Sequence, residues 1–145
     1  MMKFFRSTLL VISMIAVILT SCKKDNDNDE NEKKPVSYTL TYAFEFPHGD
    51  YEDMVFRYMN KDQEMKTVEN PVFPWTLSLD DFRLGDSACL SVKFTALPGA
   101  QIDFSGKTSY SGTNGGLGQQ TCGQTINGLS EKVTLECNAP LKITE

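Results

Sequence analysis

The chain has 145 residues, of which 40% are hydrophobic and 23% are charged, and its formal net charge is −5 at pH 7. This length suits one domain of ordinary size. The acidic balance argues against nucleic acid as a partner, because proteins bind nucleic acid through cationic side chains that contact phosphate. It also argues against broad docking onto an anionic lipid surface.

The first 21 residues have the pattern of a cleavable secretory signal. Lys3 and Arg6 form a charged start, and residues 9–19 form a nearly unbroken apolar run. Eleven residues are too few to cross a bilayer comfortably as a helix, which takes about 20. The run ends in Leu19-Thr20-Ser21-Cys22, which resembles the lipobox of bacterial lipoproteins. The resemblance implies cleavage before Cys22 and attachment of lipid to its thiol, with an uncleaved membrane anchor as the alternative.

Residues 22–35 read as the lipidated cysteine and a flexible, solvated tether, because no apolar residue follows Cys22 before Val36. Loss of the signal leaves twelve Lys and Arg residues against nineteen Asp and Glu residues, a formal charge of −7. An acidic cluster after Cys22 resembles the export signal of surface lipoproteins in the Bacteroidota. It implies display on the outer face of the outer membrane, with the periplasmic face as the alternative. The cluster consists of Asp25, Asp27, Asp29 and Glu30.

Residues 36–145 are predicted to form one all-β domain. Aromatic and aliphatic residues from Tyr38 to Phe46 alternate with smaller or polar ones, the period of a half-buried strand. Residues 80–84 are at most one turn of helix. Eight or nine short strands with regular turn signals predict a single antiparallel β-sandwich, Ig-like or similar, or a small barrel. The further strands are predicted at 54–59, 64–68, 75–79, 88–96, 100–104, 107–110, 119–126 and 131–137.

Three turn signals in the second half predict local connections. Ser105-Gly106 predicts a hairpin between residues 100–104 and 107–110. Residues 112–118 are glycine-rich and predict a mobile loop. Asn127-Gly128 is a hairpin signal between the last two strands.

Residues 38–104 resemble the MmpS-like β-sandwich proteins, which are small membrane-tethered extracytoplasmic domains. In mycobacteria such domains accompany transporters of the resistance-nodulation-division type. Three stretches carry the resemblance: Tyr38-Thr39-Leu40-Thr41-Tyr42, then Val55-Phe56-Arg57-Tyr58 before Asn60, and Pro74-Trp75 leading into Leu90-Ser91-Val92. The resemblance implies an MmpS-like sandwich and association with a transporter.

Three cysteines remain after lipidation, and the compartment beyond the inner membrane permits a disulfide. Cys122–Cys137 is the first choice, because both residues lie near the ends of consecutive predicted strands. A strict two-residue turn would set Cys122 opposite Val133, so either the loop is longer or the bridge joins non-adjacent strands. Cys89–Cys137 is the second choice and Cys89–Cys122 the third.

The sequence offers no convincing catalytic or metal-binding set. His48 is the one histidine, and its place in a predicted turn indicates an exposed loop residue. Each cysteine beyond Cys22 lies in a predicted strand, where a buried, inert thiol is the expectation. Cys122 and Cys137 lack the close Cys or His partners of a zinc site. We therefore expect no enzyme, no cofactor and no bound metal.

Ligand binding is the more open question. Trp75 with Tyr51, Tyr58 and Tyr110 offers an aromatic platform on which sugar rings stack. Packing of Trp75 in the core beside Pro74 is the favoured interpretation. Tyr110, beside the glycine-rich stretch, is the aromatic residue expected to be most exposed, with burial as an equal alternative. Tyr110 and Trp75 are the candidate ligand-binding residues.

Together these patterns predict an outer-membrane lipoprotein that acts as a non-catalytic accessory or protein-interaction module, associated with a transporter if the MmpS-like resemblance extends to function. Its contact with the membrane would be the N-terminal lipid, and its partner another protein. The alternative is a glycan-binding surface lipoprotein. A glycan binder should have a stacking aromatic beside polar residues in a groove, whereas a protein-binding module should have an apolar patch or an unpaired sheet edge.

Overall fold

A computed structural model describes residues 35–145, and these residues form eight β-strands and no helix. Cys22 and the acidic cluster of the tether lie outside the described residues, as does the predicted signal. The strands are β1 (Tyr38–His48), β2 (Tyr51–Met59), β3 (Met65–Thr67), β4 (Trp75–Phe82), β5 (Ser87–Ala96), β6 (Ile102–Gly112), β7 (Leu117–Ile126) and β8 (Val133–Lys142).

The strands form two four-stranded sheets that pack face to face, and the predicted antiparallel β-sandwich is confirmed. Sheet A has the order β4-β1-β6-β7, and sheet B has the order β3-β2-β5-β8. Every described strand pair is antiparallel. Only the β2–β3 and β6–β7 connections stay within one sheet, and the other five cross from one sheet to the other.

The core lies between the two sheets. Side chains alternate between the two faces of each strand, and the apolar ones point into this space. In β1, Tyr38, Leu40, Tyr42 and Phe44 are at most 2% exposed, which confirms the alternation predicted for this strand. Sheet B contributes the inward side chains of β2, β5 and β8. These are chiefly Phe56, Leu90, Val92, Phe94, Leu135, Cys137 and Ala139.

The sequence allowed at most one turn of helix at residues 80–84, but these residues form no helix, and β4 continues to Phe82. Tyr38 pairs with Phe82 but Leu40 pairs with Leu79, so β4 has one extra residue at this point. Asp81 has a φ of 69°, which identifies the β-bulge. The bulge returns Phe82 to the core, where it is fully buried, and it interrupts the alternation on which the sequence prediction depended.

The predicted hairpin at Ser105-Gly106 is wrong, because β6 runs unbroken from Ile102 to Gly112. A Cβ atom on Gly106 would lie 2.6 Å from the Sγ of Cys137 and 2.9 Å from the Sγ of Cys122. Glycine at this position therefore makes room for two sulfur atoms in mid-strand and does not mark a turn.

The turn between β6 and β7 is tighter than the predicted loop. The N–H of Gly112 donates to the carbonyl of Gly116 at 2.7 Å, and Gly115 has a φ of 86°. β7 begins at Leu117, so residues 112–118 form a hairpin end. Asn127-Gly128 does not form the predicted hairpin, because β7 pairs with β6 whereas β8 pairs with β5.

The disulfide joins Cys122 and Cys137, as predicted, and their Cα atoms are 5.3 Å apart. Cys122 lies in β7 and Cys137 in β8, so the bridge connects an edge strand of each sheet. Of the two geometries left open by the sequence, the structure has the bridge between non-adjacent strands. Cys89 in β5 is free.

Gly106→Ala should lower the free energy of unfolding by about 1–3 kcal/mol, the usual cost of overpacking. The same substitution should cost clearly less in a Cys122→Ala/Cys137→Ala background, because both sulfur atoms are then gone. Denaturant unfolding of the four proteins, followed by Trp75 fluorescence, measures the coupling.

Ser105→Ala is the matched control on the exposed side of β6 and should change stability by less than about 0.5 kcal/mol. Loss of the disulfide should itself cost about 3 kcal/mol for a closed loop of this length. An equal cost of Gly106→Ala in both backgrounds would contradict the role given to the two sulfur atoms.

Candidate functional site

The strand β7 is an edge of sheet A that carries neither a charged residue nor a proline over its ten residues. Natural sheets commonly protect their edges by short length, charge, proline or bulges. The other three edges follow this rule. β3 has only three residues, β4 has Asp80 and the bulge at Asp81, and β8 contains Glu136, Pro140 and Lys142.

The backbone of β7 has hydrogen-bonding groups free for a further strand. Gly112 and Gly116 form a hydrogen-bonded pair, and such pairs alternate with non-hydrogen-bonded pairs along an antiparallel ladder. The pairs Ser109↔Gln119 and Lys107↔Thr121 therefore belong to the second kind. Among the described residues, no strand pairs with β7 on its other side. The N–H and C=O groups of its odd-numbered residues point to this side, which we call the open edge.

The open edge is cross-linked to β8 at its middle, and most of its exposed side chains are polar. The disulfide at Cys122 fixes the middle of β7 to β8. Gln119, Thr121 and Thr125 are exposed, and Leu117 at the start of the strand is 75% exposed. Beside the edge, a shallow depression of about 490 Å³ is lined by side chains that include Thr41, Lys107 and Ser109.

A second depression, of about 560 Å³, lies on sheet B beside the first half of β2. It forms where β3 is too short to cover β2, since β3 pairs only with residues 57–59. Tyr51 is 37% exposed there, and its ring packs edge-on against Phe46 at 5.0 Å. Polar residues share the depression with Tyr51: Arg57, Thr67, Glu69 and Asn70.

The structure buries Tyr110, one of the two candidate ligand-binding residues. Its ring is 6% exposed and packs edge-on against Tyr38 at 5.6 Å. Its hydroxyl donates to the carbonyl of Thr144 at 3.0 Å and accepts from the N–H of the same residue at 3.4 Å. The ring therefore holds the C-terminal segment in place and does not present a face to solvent.

Trp75 is half-buried and packs against the core, which agrees with the interpretation favoured from the sequence. Its ring meets Phe56 at 4.7 Å and Tyr58 at 6.0 Å. Of the four aromatic residues proposed as a platform, Tyr51 is the most exposed. The signal in the sequence that could have identified Tyr51 is its position just after Gly49-Asp50, which connect β1 to β2.

The residues considered for catalysis are separated in the fold. His48 ends β1 in sheet A, whereas Cys89 lies in β5 of sheet B. Burial raises the pKa of the Cys89 thiol, which favours the neutral thiol over the nucleophilic thiolate. Within residues 35–145, no three His, Cys, Asp or Glu side chains are grouped closely enough to hold a metal ion.

The described residues contain no helix that is long and apolar enough to cross a membrane. No known protein family, curated protein or solved structure matches the chain. The open edge of β7 and the depression at Tyr51 are therefore judged on their geometry.

Tyr42 connects the middle of sheet A to the end of β2, because its hydroxyl donates to the carbonyl of Met59 at 2.7 Å. Burial raises the pKa of Tyr42 well above its ordinary value. The unfolded chain ionises this phenol near pH 10 while the folded chain keeps it neutral, so stability should be present below about pH 10 and be lost as the pH rises.

Tyr42→Phe should lower the free energy of unfolding at pH 7 by about 1 kcal/mol. It should also remove a decline of up to about 1.4 kcal/mol per pH unit above pH 10. Urea unfolding at several pH values between 8 and 11.5 compares the two proteins. Parallel declines for both would contradict a buried, neutral Tyr42.

Proposed function

We propose that the protein is a lipid-anchored module of the outer membrane that acts without catalysis and binds another protein through the open edge of β7. The observation that carries the binding part is this edge itself. It has ten uncharged residues, no strand within residues 35–145 pairs with its outer side, and the other edges of the sandwich are protected.

The anchoring part rests on the N-terminal sequence. A charged start, an apolar run and Leu19-Thr20-Ser21-Cys22 favour cleavage and lipidation at Cys22. The tether behind it has thirteen residues before Val36, and a flexible chain of that length spans roughly 20 Å. That length would hold the sandwich clear of the lipid headgroups. The acidic residues Asp25, Asp27, Asp29 and Glu30 favour display on the cell surface.

Binding by strand addition fits the open edge. An extended segment of a partner would pair with β7, so that main-chain hydrogen bonds give affinity and outward side chains give specificity. Ten residues extend over about 33 Å, which is enough for several such bonds. The disulfide at Cys122 holds β7 in place before binding, which lowers the ordering cost of association.

Two narrower proposals accompany this function. The resemblance of residues 38–104 to MmpS-like proteins favours a transporter component as the partner. The alternative function, glycan binding, is favoured by Tyr51, whose partly exposed ring lies beside Arg57, Glu69 and Asn70 in one depression. Sugars stack on aromatic rings and bond to polar neighbours, as this arrangement would allow.

Anchoring and display are tested together in cells. Cys22→Ala should abolish incorporation of a click-reactive fatty acid, because the acceptor thiol is lost. Replacement of the four acidic residues by Ala should leave labelling intact but protect the protein from protease added to whole cells. Lys33→Ala and Lys34→Ala are the matched control in the same tether and should change neither result. Labelling of Cys22→Ala would refute the lipoprotein, and equal protease sensitivity would refute the export signal.

The open edge is tested with a photo-crosslinking amino acid. Incorporated at Thr121, it should give a discrete adduct with one protein in cells, whereas incorporation at Thr76 on the opposite edge of sheet A should not. Gln119→Lys and Thr125→Lys should abolish the adduct, because charge blocks strand addition. Mass spectrometry identifies the partner.

Equal crosslinking at both positions, or none at Thr121, would contradict binding at the open edge. The glycan alternative has its own measurement, which is binding of the purified protein to a glycan array. Retention that is lost in Tyr51→Ala and kept in Gln119→Lys would favour the alternative over the main proposal.

A further inference from the structure

Three sulfur-containing side chains lie in one row across the outward face of sheet B. Met65 in β3 pairs with Met59 in β2. Tyr58 pairs with Leu90 at the end of the β2–β5 ladder, and one position further along, Met59 and Cys89 line the same depression. Leu90 and Ala88 are buried, and the alternation of β5 therefore turns Cys89 outward.

The three side chains lie on adjacent strands and on the same face of sheet B. Met59 and Met65 are directly opposed, and such residues in an antiparallel sheet have Cβ atoms about 4.5–5.5 Å apart. Methionine is flexible enough to turn its sulfur atom toward a neighbouring donor. Met59 and Cys89 line the same depression, of about 370 Å³, and both are half-buried. Met65 at the edge is 41% exposed, which leaves a path for an ion from solvent.

The backbone around the row is fixed by contacts outside it. The side chain of Gln63 donates to the carbonyl of Ser87 at 3.1 Å and accepts from its N–H at 2.9 Å. These two bonds hold the β2–β3 turn against the start of β5. The hydroxyl of Tyr42 holds the carbonyl of Met59 from the core side. The spacing of the three strands is therefore set before any ligand arrives.

The donor set determines the kind of ion. One thiolate and two thioethers are soft ligands that select monovalent copper over hard cations. Zinc sites instead use four nitrogen, sulfur or carboxylate ligands, and none of the three side chains supplies nitrogen or oxygen. A thiolate with a singly charged ion is neutral overall, so the half-buried position does not isolate a net charge.

We propose that Met59, Met65 and Cys89 bind one soft monovalent metal ion of the Cu(I) class. The Sγ–H bond of Cys89 breaks on binding, the sulfur–metal bond forms, and the proton passes to solvent. No electron is transferred. This site lies on sheet B and is independent of the open edge of sheet A.

Ag(I) is the probe, because it has the same charge and softness and needs no reductant that would open the disulfide. Titration calorimetry in chloride-free nitrate buffer uses the full chain in neutral detergent. Cys22→Ser in every sample leaves Cys89 as the only cysteine outside the Cys122–Cys137 bridge. We expect one ion per chain with a Kd below about 1 µM, confirmed as a single adduct by native mass spectrometry.

Cys89→Ser should abolish this binding, and Met59→Leu and Met65→Leu should each weaken it about tenfold or more. These Met-to-Leu changes conserve volume and leave folding largely intact. Met54→Leu is the matched control, since Met54 packs against the core and should bind like the parent. Absence of a tight adduct overturns the proposal. So does unchanged affinity in either Met59→Leu or Met65→Leu, because the thiol alone would then account for the binding.

Discussion

Aromatic packing between the two inner faces is the interaction on which the rest of the sandwich depends. Phe44 in β1 is fully buried and meets Phe56 of the opposite sheet edge-on at 5.4 Å. A second edge-on contact joins Phe94 of sheet B to Phe104 of sheet A, with ring centroids 5.2 Å apart. Burial of such side chains contributes about 1.5–3 kcal/mol each. Because five connections cross between the sheets, consecutive strands depend on this packing between the sheets to stay together.

The sequence was sufficient to predict strands wherever apolar and polar residues alternate without interruption, as in β1 and β5. It failed where a local backbone feature changed the alternation. The bulge at Asp81 lets Leu79 and Phe82 face the same core although they are three residues apart. This spacing matches neither the alternation of a strand nor the full periodic pattern of a helix. Gly106 was interpreted as part of a turn. The local sequence does not show that the sulfur atoms of two cysteines far along the chain pack against this glycine.

Pairing of strands was the other limit, because turn signals describe only neighbouring residues. Asn127-Gly128 suggested a hairpin, yet β7 and β8 belong to different sheets. The Cys122–Cys137 pair was predictable despite this, since a separation of only 15 residues keeps the two cysteines close in the fold. The candidate sites were less accessible to prediction. The open edge and the sulfur row can be identified only from the strand order and register, which the sequence does not give. Tyr110 is buried by a C-terminal segment whose path the sequence did not indicate.

The disulfide also explains how an unprotected edge can persist in a stable domain. An edge strand without charge or proline is exposed to fraying and to unwanted pairing. A cross-link in the middle of β7 opposes fraying, because it ties Cys122 to β8. Gly106 lets the sulfur atoms sit close beneath the sheet. The strand then keeps its hydrogen-bonding groups in the geometry of a sheet without a further strand to maintain it. For the strand addition proposed above, this restraint would lower the entropy cost of adding a partner strand. It would also favour a partner segment that is extended and uncharged.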